Sequence, residues 1–495
     1  MDNKTIIDRL ERARWGCGFQ DKKEREFFEE TFFDIVFSNF GVKYKVKYGG
    51  FRDLAVDIFH PVTFAGELMI YNEETGLYYE GEAVIRAKIT RWLDTCCTGN
   101  MNDEFCFLDP TTKLSQSVDE IMKLVWSANV IAGDESPFNR FNGIPVENGV
   151  VVFDENYQPQ LKPYTPEMLF ISKMPTEYNP KADTAPVRAV LTDWAGEYTA
   201  ALVQAPAQAF IQFLPDQSPM KKSYFLCGQK NSGKSTYLEL LEKTAGQKCV
   251  GHVMLQELSE KFNASELEGK LFNIGDDLAE ISLNDCGAFK RFTGKTNHSV
   301  EEKYKKRHQA RITAVHIYTA NRMPRLGRAV ASDDAFWERI CVVPFTGNFS
   351  VSSQFSSQVF SKEFCEGFLL LAIKTASQML AGGKLLYNPE IDETRELWDG
   401  APTPLADFLE EATVKDANGH VEKADVLAGV QTYAKDNGIS PREVPDSINA
   451  LTREMTRLGY ATYNLGRKKI PCYKGLSWKP GFEHKFEESL SSVLA

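Results

Sequence analysis

Short apolar runs alternate with helical patterns between residues 221 and 346. Tyr224–Cys227, Leu271–Ile274 and Thr313–Thr319 have the length and composition of buried strands. After the first run, leucines recur at helical spacing over Thr236–Gly246, and the closing glycine is a helix stop signal. Strands alternating with helices predict an α/β core built on a mainly parallel sheet.

The residues before this core predict smaller mixed elements. A charged, helix-like run at Lys22–Glu30 precedes the alternating Val42–Tyr48, which indicates an edge strand. Turn residues then predict two hairpins, each with helical patterns after it. The first turns at Glu73–Gly76 before a helix at Ala83–Leu93, and the second turns at Asn148-Gly149 before Val150–Phe153 and helices over Val187–Phe213.

The residues after the core predict a closing helix, a linker and a small terminal domain. The helix is Lys362–Leu380, and the linker is Pro389–Pro404. Three helical patterns follow, and then two strand-like segments, Tyr460–Asn464 and Cys472–Gly475, joined by a turn at Leu465–Lys469. Three helices followed by a two-stranded wing are typical of a winged helix-turn-helix domain.

Composition narrows the class of protein. The chain has 495 residues, 43% of them hydrophobic, which suits about three domains. It lacks a run of 18 apolar residues and the apolar core of a signal peptide, so we expect a soluble cytoplasmic protein with no membrane partner. The ten cysteines are scattered without CxxC spacing, which indicates neither a zinc site nor a disulfide framework. We interpret adjacent Cys96 and Cys97 as small residues of a reduced helix rather than a redox pair. The net charge of −11 argues against a uniformly basic surface and allows a local basic patch.

The segment Gly228-Gln-Lys-Asn-Ser-Gly233-Lys234-Ser235 has the GxxxxGK[ST] spacing of a phosphate-binding loop. It stands between a predicted strand and a predicted helix, as the motif requires. In such loops the backbone N–H groups and the helix N-terminus hold phosphates, the lysine reaches the β- and γ-phosphate oxygens, and the serine is a ligand for Mg²⁺. We therefore predict that ATP and Mg²⁺ bind here, with ATP contacting Gly228, Asn231, Ser232, Gly233, Lys234, Ser235 and Thr236.

Two further strands end in polar residues that suit phosphate chemistry. Asp276-Asp277 directly follows the apolar strand ending at Ile274. We predict that Asp276 completes the Mg²⁺ shell with Ser235 and that Asp277 polarises the attacking water, although two acids after a strand are also a common solvated turn. Asn321 ends the next strand and is a candidate sensor of the γ-phosphate, the alternative being an ordinary asparagine turn.

Arg339 directly precedes the apolar strand Ile340–Phe345. One interpretation is a surface salt-bridge residue. The other is an arginine finger that stabilises charge on the γ-phosphate of a neighbouring subunit, a contribution of about 10³–10⁵ in rate.

The segment Lys290–Arg311 contains eight lysines or arginines and two glutamates in a chain that is acidic overall. Concentrated cations bind DNA phosphates by releasing counterions, although a charge run is usually a solvated face. A glycine turn, Tyr304 and alternating basic residues fit a hairpin that enters a nucleic-acid channel. The candidate DNA contacts are Lys295, Lys303, Lys305 and Lys306.

The tail is also locally basic, with seven basic residues and one acid in Arg453–Lys479. Arg467, Lys468 and Lys469 fall at the tip of the predicted wing, and wings of this composition bind duplex DNA. The alternative is that the tail packs on the core or on another subunit.

In their order, these motifs resemble those of superfamily 3 helicases, specifically the phage and plasmid primase-helicase group related to the poxvirus primase-helicase. The phosphate loop, double acid, basic hairpin, asparagine and arginine lie within about 110 residues. Three segments match sequence phrases of that family. Lys290–Lys305 matches its lysine-bearing helix, glycine turn and acid-lysine-tyrosine-lysine run. Asn321 and Pro324 match its asparagine-x-x-proline, and Phe336–Arg339 matches its phenylalanine-tryptophan-x-arginine. Upstream, Tyr71–Tyr79, Asn148-Gly149 and Tyr178-Asn-Pro180 resemble the helicase-associated domain of that group.

The resemblance implies an α/β, AAA+-like P-loop motor core at 206–388, preceded by an α+β helicase-associated domain at 61–205 and followed by a winged-helix-like domain at 405–480. Residues 1–60 form an α/β segment of unknown role. The resemblance also implies a homo-hexameric ring with ATP sites between subunits. At each site one subunit would contribute Lys234, Ser235, Asp276, Asp277 and Asn321, and the next would contribute Arg339.

The activity implied is that of an ATP-dependent DNA helicase that moves 3′ to 5′ on single-stranded DNA. Its substrates would be single-stranded and forked DNA, gripped by pore hairpins carrying Lys303, Lys305 and Lys306. Replication of a phage or mobile element in the host cytoplasm is the implied setting, with other replication proteins as partners.

Two departures from the family pattern leave alternatives open. Many relatives have more glycine in the phosphate loop, where this chain has Gln229, Lys230 and Asn231. No primase carboxylate pair or zinc motif is recognisable in residues 1–200, which disfavours a helicase fused to a primase. An alternative from another class is an origin-binding initiator whose ATP site switches assembly without processive unwinding.

Overall fold

The structure is a computed structural model of a mixed α/β chain. It describes residues 3–12, 18–39, 41–97, 106–109, 112–214, 220–260, 263–278, 283–294, 297–301, 307–350, 352–399, 404–437, 439, 441, 444–466 and 469–482.

The first part of the chain is mainly helical. Its helices are α1 (Asn3–Arg12), α2 (Lys22–Phe32), α3 (Tyr48–Phe59), α4 (Glu82–Thr95) and α5 (Leu114–Ala128). Its strands form two antiparallel sheets, β1 (Phe33–Ser38) with β2 (Gly41–Val46), and β3 (Val62–Phe64), β4 (Glu67–Asn72) and β5 (Leu77–Glu80). The predicted edge strand and the predicted turn at Glu73–Gly76 are confirmed. Phe28, Leu54, Trp92 and Ile121 share one buried cluster, so the predicted division after residue 60 falls inside a single core.

The next part packs directly on the central sheet. It contains β6 (Ile144–Val146), β7 (Gly149–Phe153), β8 (Pro159–Lys162), α6 (Ala185–Ala195) and α7 (Thr199–Phe213), and it confirms the second hairpin and the helices after it. Val150, Leu191 and Phe210 belong to the same buried cluster as Tyr224 and Phe272 of the sheet. The predicted division at 205/206 therefore also cuts through a shared core, and the four-part domain arrangement stays a prediction.

The central sheet has five parallel strands. The strands of this part are β9 (Ser223–Cys227), β10 (Val250–Gly251), β11 (Phe272–Gly275), β12 (Asn297–Val300), β13 (His308–Arg311), β14 (Val315–Ala320) and β15 (Ile340–Pro344). The sheet order is β10-β11-β14-β9-β15, and β12 and β13 form a separate antiparallel hairpin. Parallel pairing brings the carboxyl ends of β9, β11 and β14 to one edge, where open α/β sheets bind ligands.

Helices surround the sheet. They are α8 (Lys234–Ala245), α9 (Asn263–Leu267), α10 (Gly287–Phe292), α11 (Arg328–Ala331), α12 (Asp334–Trp337), α13 (Ser353–Val359) and α14 (Lys362–Gly382). Every residue of β9 is buried, as expected for a central parallel strand covered on both faces. Among the described residues, α14 alone has the length and hydropathy of a membrane span, and 83% of that window is buried inside the protein. Phe368 and Leu369 place α14 in the core beneath the sheet.

The prediction of a linker at Pro389–Pro404 is wrong in part, because this segment contains helix α15 (Ile391–Asp399). Trp398 is only 3% exposed and packs on Phe225 of β9, with ring centroids 5.0 Å apart. Its Nε1 also donates a hydrogen bond to the Pro324 carbonyl at 3.2 Å. Tertiary packing of this aromatic ring outweighs the flanking prolines that indicated a linker.

We expect Trp398→Ala to lower the free energy of unfolding by about 3–5 kcal/mol, because it removes a large buried ring beneath the central sheet. Urea denaturation followed by circular dichroism measures the change. Leu386→Ala is the control, since Leu386 is 47% exposed and its truncation should cost less than about 0.5 kcal/mol. Equal denaturation midpoints for the two variants would contradict a core role for α15.

The last part of the chain, called the C-terminal module, comprises α16 (Pro404–Ala412), β16 (Thr413–Glu422), α17 (Lys423–Asp436), α18 (Ile448–Arg457), β17 (Thr462–Leu465) and β18 (Ile470–Trp478). The three predicted helices and the predicted strand pair are confirmed. Strand β16 is an addition, and the sheet order is β16-β18-β17. Its sequence is polar and lacks apolar alternation, and its pairing with β18 shifts register between Lys415 and His420. Pairing with a distant strand, rather than local pattern, makes it a strand.

Candidate functional site

The phosphate-loop motif forms a tight turn between β9 and α8. Its two outer glycines are required by their surroundings. A Cβ on Gly228 would lie 2.3 Å from the Phe345 carbonyl oxygen, and Gly233 has φ 101° with Trp194 only 2.7 Å from where its Cβ would be. Asn231 stands at φ 62°, a left-handed conformation that asparagine tolerates better than most residues. The glycine-poor middle of this loop is therefore compatible with the turn.

Lys234 is the cation at the centre of this turn, and it is only 7% exposed. Its Nζ donates to the carbonyls of Gly228 and Gln229 at 2.8 Å each, and to Ser232 Oγ at 3.3 Å. It also donates to Asn321 Oδ1 at 3.1 Å. Burial lowers the pKa of Lys234, while the nearby Cys227, Asp276 and Asp277 raise it. A buried, partly compensated cation is suited to binding an anion that enters from solvent.

The two acids follow the strand predicted for them and lie beside the phosphate loop, although that strand, β11, is not a direct neighbour of β9. Asp276 and Asp277 follow β11, which pairs with β14 rather than directly with β9. The acidic pair therefore stands one strand further from the loop than a neighbouring strand would place it. Ser235 Oγ nevertheless donates to Asp276 Oδ1 at 3.1 Å, because the first turn of α8 reaches across the end of β14. A hydroxyl and a carboxylate meet here, and both are oxygen ligands that suit Mg²⁺.

Asn321 stands between the lysine and the second acid. It follows β14, the strand between β9 and β11. Its Oδ1 accepts from Lys234, and its Nδ2 donates to Asp277 Oδ1 at 3.2 Å. Because β14 is the middle strand, its terminal amide is the natural bridge between the phosphate loop and the acids. The structure thus brings Lys234, Ser235, Asp276, Asp277 and Asn321 together at one sheet edge.

Thr319 is a member of this cluster that the sequence pattern did not reveal. Its Oγ1 donates to Asp276 Oδ1 and accepts from the backbone N–H of Asp277 at 2.8 Å. Asp277 is held at φ 56°, so this contact fixes an unusual backbone conformation. The sequence signal for Thr319 is its position two residues before Asn321, because residues i and i+2 of an extended chain share a face.

The remaining predicted phosphate contacts lie in the same turn. Ser232 is fully buried and Thr236 is half-buried in the first turn of α8. The backbone N–H groups in the first turn of this twelve-residue helix have no partners within the helix, and such groups commonly bind anions.

Arg339 lies at the opposite edge of the sheet. Its carbonyl accepts from the Ser223 N–H at the start of β9, whereas the phosphate loop follows the end of that strand. Five residues of strand span roughly 15 Å, so this guanidinium does not join its own chain's cluster. It is half-buried, and it donates to Thr293 Oγ1 at 2.9 Å and to the Ala335 carbonyl.

The predicted basic hairpin is confirmed as β12 and β13. Lys295, Lys303, Lys305 and Lys306 lie outside the described residues. At its base, Arg311 and Arg140 line a cavity of about 90 Å³. Burial lowers the pKa of Arg311, and the charge of Arg140 lowers it further. Arg140 is paired with Glu135 at 2.9 Å and Glu268 lines the same cavity, so carboxylates offset these two guanidinium groups at the hairpin base.

In the C-terminal module, Arg467 and Lys468 also lie outside the described residues. Lys469 is exposed in the turn before β18, at φ 52°. Among the described residues, no group of three or more metal-ligating side chains occurs, and the nine cysteines there are free.

Comparison with known proteins adds a partial match. A model of a family of unknown function, DUF5906, matches residues 226–339, the stretch from β9 to Arg339. No curated protein matches the chain.

Among solved structures, the A-form apo structure of the NrS-1 C-terminal region has a TM-score of 0.43 at 10% identity, covering 86% of this chain and 98% of that one. A second apo structure of that region has a TM-score of 0.42 at 12% identity, with the same coverage. JCV helicase bound to a small molecule has a TM-score of 0.22 at 15% identity, covering 41% of this chain and 66% of that one. These scores are too low to establish a shared fold.

Proposed function

We propose that this protein is an ATP-dependent DNA helicase with an AAA+-like motor core, of the superfamily 3 type. The observation that carries the proposal is the chain of hydrogen bonds from Lys234 through Asn321 to Asp277. It joins a phosphate-loop lysine, a strand-end amide and a carboxylate at the ligand-binding edge of one parallel sheet. This is the arrangement that a nucleoside triphosphatase needs for its phosphates and attacking water.

Each side chain has a role that its position supports. Lys234 would bind the β- and γ-phosphate oxygens, and the N–H groups at the start of α8 would hold the β-phosphate. Asp277 would orient and polarise the attacking water. Asn321 would hold the Asp277 carboxylate in place and contact the γ-phosphate. Thr319 would keep Asp276 and Asp277 in place.

The residues present fit a Mg²⁺ ion. Ser235 and Asp276 would hold it, since their oxygen atoms lie 3.1 Å apart and both are exposed at the sheet edge. When bound, Mg²⁺ neutralises charge on the phosphates.

DNA would contact the β12–β13 hairpin, including Lys295, Lys303, Lys305 and Lys306, and the wing of the C-terminal module. The eight lysines or arginines in Lys290–Arg311 support this surface. A homo-hexameric ring would place Arg339 of one subunit at the site of the next. The proposed substrates are single-stranded and forked DNA, and the proposed direction of movement is 3′ to 5′. The proposed setting is replication of a phage or mobile element.

A strand-displacement assay tests the function. A labelled duplex with a 3′ single-stranded tail should be unwound only with ATP and Mg²⁺, and the same duplex with a 5′ tail should not. ATP hydrolysis that DNA stimulates, without displacement of either substrate, would instead favour an origin-binding initiator. Primer synthesis from ribonucleotides would favour a primase-helicase.

A further inference from the structure

The C-terminal module touches both loops of the candidate nucleotide site. Gln229 Nε2 donates a hydrogen bond to Asp407 Oδ1 on α16 at 3.1 Å. Arg325 Nη2 lies 3.7 Å from Glu454 Oε1 on α18. Gln229 is the second residue of the phosphate loop, and Arg325 lies in the loop that follows Asn321. The module is therefore seated at the sheet edge where the triphosphate would bind.

Helix α15 makes a third contact with the same region, just before the module begins. Its Trp398 donates to the Pro324 carbonyl while its ring packs under β9. The loop after Asn321 is thus held from below by α15 and from the side by α18.

Asp407 places a carboxylate against the phosphate loop. The residue is half-buried, and burial raises the pKa of its carboxyl, whereas the Gln229 hydrogen bond and the charge of Arg322 lower it. Arg322 directly follows Asn321 in the sequence. Asp407 therefore faces one residue of each loop that the triphosphate would contact.

Lys234 connects the two loops on the other side. Its Nζ carries three hydrogens and has four acceptors, among them the Gln229 carbonyl and Asn321 Oδ1. To bind phosphate oxygens, Lys234 must exchange some of these acceptors. That exchange changes the hydrogen bonding of Gln229, the residue whose side chain holds Asp407.

We propose that Asp407 is a positioning residue of the nucleotide site, through which the C-terminal module and a nucleoside triphosphate oppose each other at the phosphate loop. The inference rests on the proposed nucleotide binding. A carboxylate beside a polyphosphate is a like-charge pair, so the seated module weakens triphosphate binding. By thermodynamic reciprocity, a bound triphosphate weakens the seat to the same degree.

The test compares Asp407→Asn with Glu411→Gln, two variants that each remove one negative charge from α16. Glu411 is exposed on the same helix and serves as the matched control. Affinity is measured with a fluorescent ATP analogue and Mg²⁺, and hydrolysis gives KM and kcat. We expect Asp407→Asn to lower both Kd and KM about 3- to 10-fold, the lower part of the usual range of coupling between sites, with kcat within about twofold. Glu411→Gln should leave all three within about 1.5-fold.

A second measurement reports whether the C-terminal module is bound at the phosphate loop. Amide hydrogen exchange in 404–412 should quicken when the wild-type protein binds the analogue, and should be fast in Asp407→Ala, which removes the acceptor for Gln229, with or without it. Gln229→Ala, combined with Asp407→Ala, should add no further gain in affinity, because both changes break the same contact. Gln229→Ala by itself removes the donor of this contact, and it serves as the test if the Asp407 variants fail to fold.

The outcomes separate the two proposals. If wild type binds the analogue, Asp407→Asn matches Glu411→Gln in affinity and Asp407→Ala exchanges as slowly as wild type, the Asp407 inference is wrong and the proposed function stands. If wild type fails to bind the analogue, the proposed function is wrong and this inference falls with it.

Discussion

Replacing Lys234 with alanine should lower the rate of ATP hydrolysis by about 10²–10³-fold or more, because it removes the buried cation aimed at the phosphates. DNA unwinding should be lost with it. The fold should survive, since burial lowers the pKa of Lys234 and so opposes its charged form in the native state. A group whose pKa is lower in the folded protein than in the unfolded chain carries a charge that lowers the free energy of unfolding at neutral pH. Removing that charge is therefore not expected to destabilise the fold. Steady-state phosphate release and thermal melting measure the two effects.

Lys230→Ala is the matched control for this prediction. Lys230 lies in the same loop, but its side chain is exposed. We expect its hydrolysis rate to stay within about twofold of wild type. If Lys234→Ala hydrolyses ATP as fast as this control does, the phosphate-loop assignment is wrong.

Replacing Arg339 with alanine should leave ATP affinity within about threefold and lower kcat by about 10³-fold or more, as expected for an arginine finger. The reason is positional. Arg339 directly precedes β15, at the opposite end of the strands from its own phosphate loop, so any contact with a γ-phosphate must be made in a second copy of the chain.

A mixing experiment separates this role from a structural one. Subunits carrying Lys234→Ala still present Arg339, and subunits carrying Arg339→Ala still present an intact phosphate loop. A mixture of the two inactive proteins should regain measurable hydrolysis at their shared interfaces. Arg339 also bonds Thr293 and the Ala335 carbonyl, so a structural role predicts a lower melting temperature and no recovery on mixing.

The sequence predicted which residues lie together in the candidate site wherever the demands on the chain are local. A phosphate loop needs glycine at two crowded positions and a lysine at the start of a helix, and these demands are visible as residue spacing. Asp276-Asp277 and Asn321 were predicted because each follows a short apolar strand, and strand ends of a parallel sheet share an edge. Thr319 was missed because a threonine inside a strand is ordinary until its hydroxyl is seen between two acids.

The sequence by itself determined the phosphate loop, the order of strands and helices in the core and the basic hairpin, because each depends on neighbours within a few residues. Tertiary structure alone decided that β14 lies between β9 and β11, that α15 is a buried helix rather than a linker, and that Asp407 sits against the phosphate loop. Those features join residues far apart in the chain. Their energies come from packing and pairing partners that local pattern does not specify.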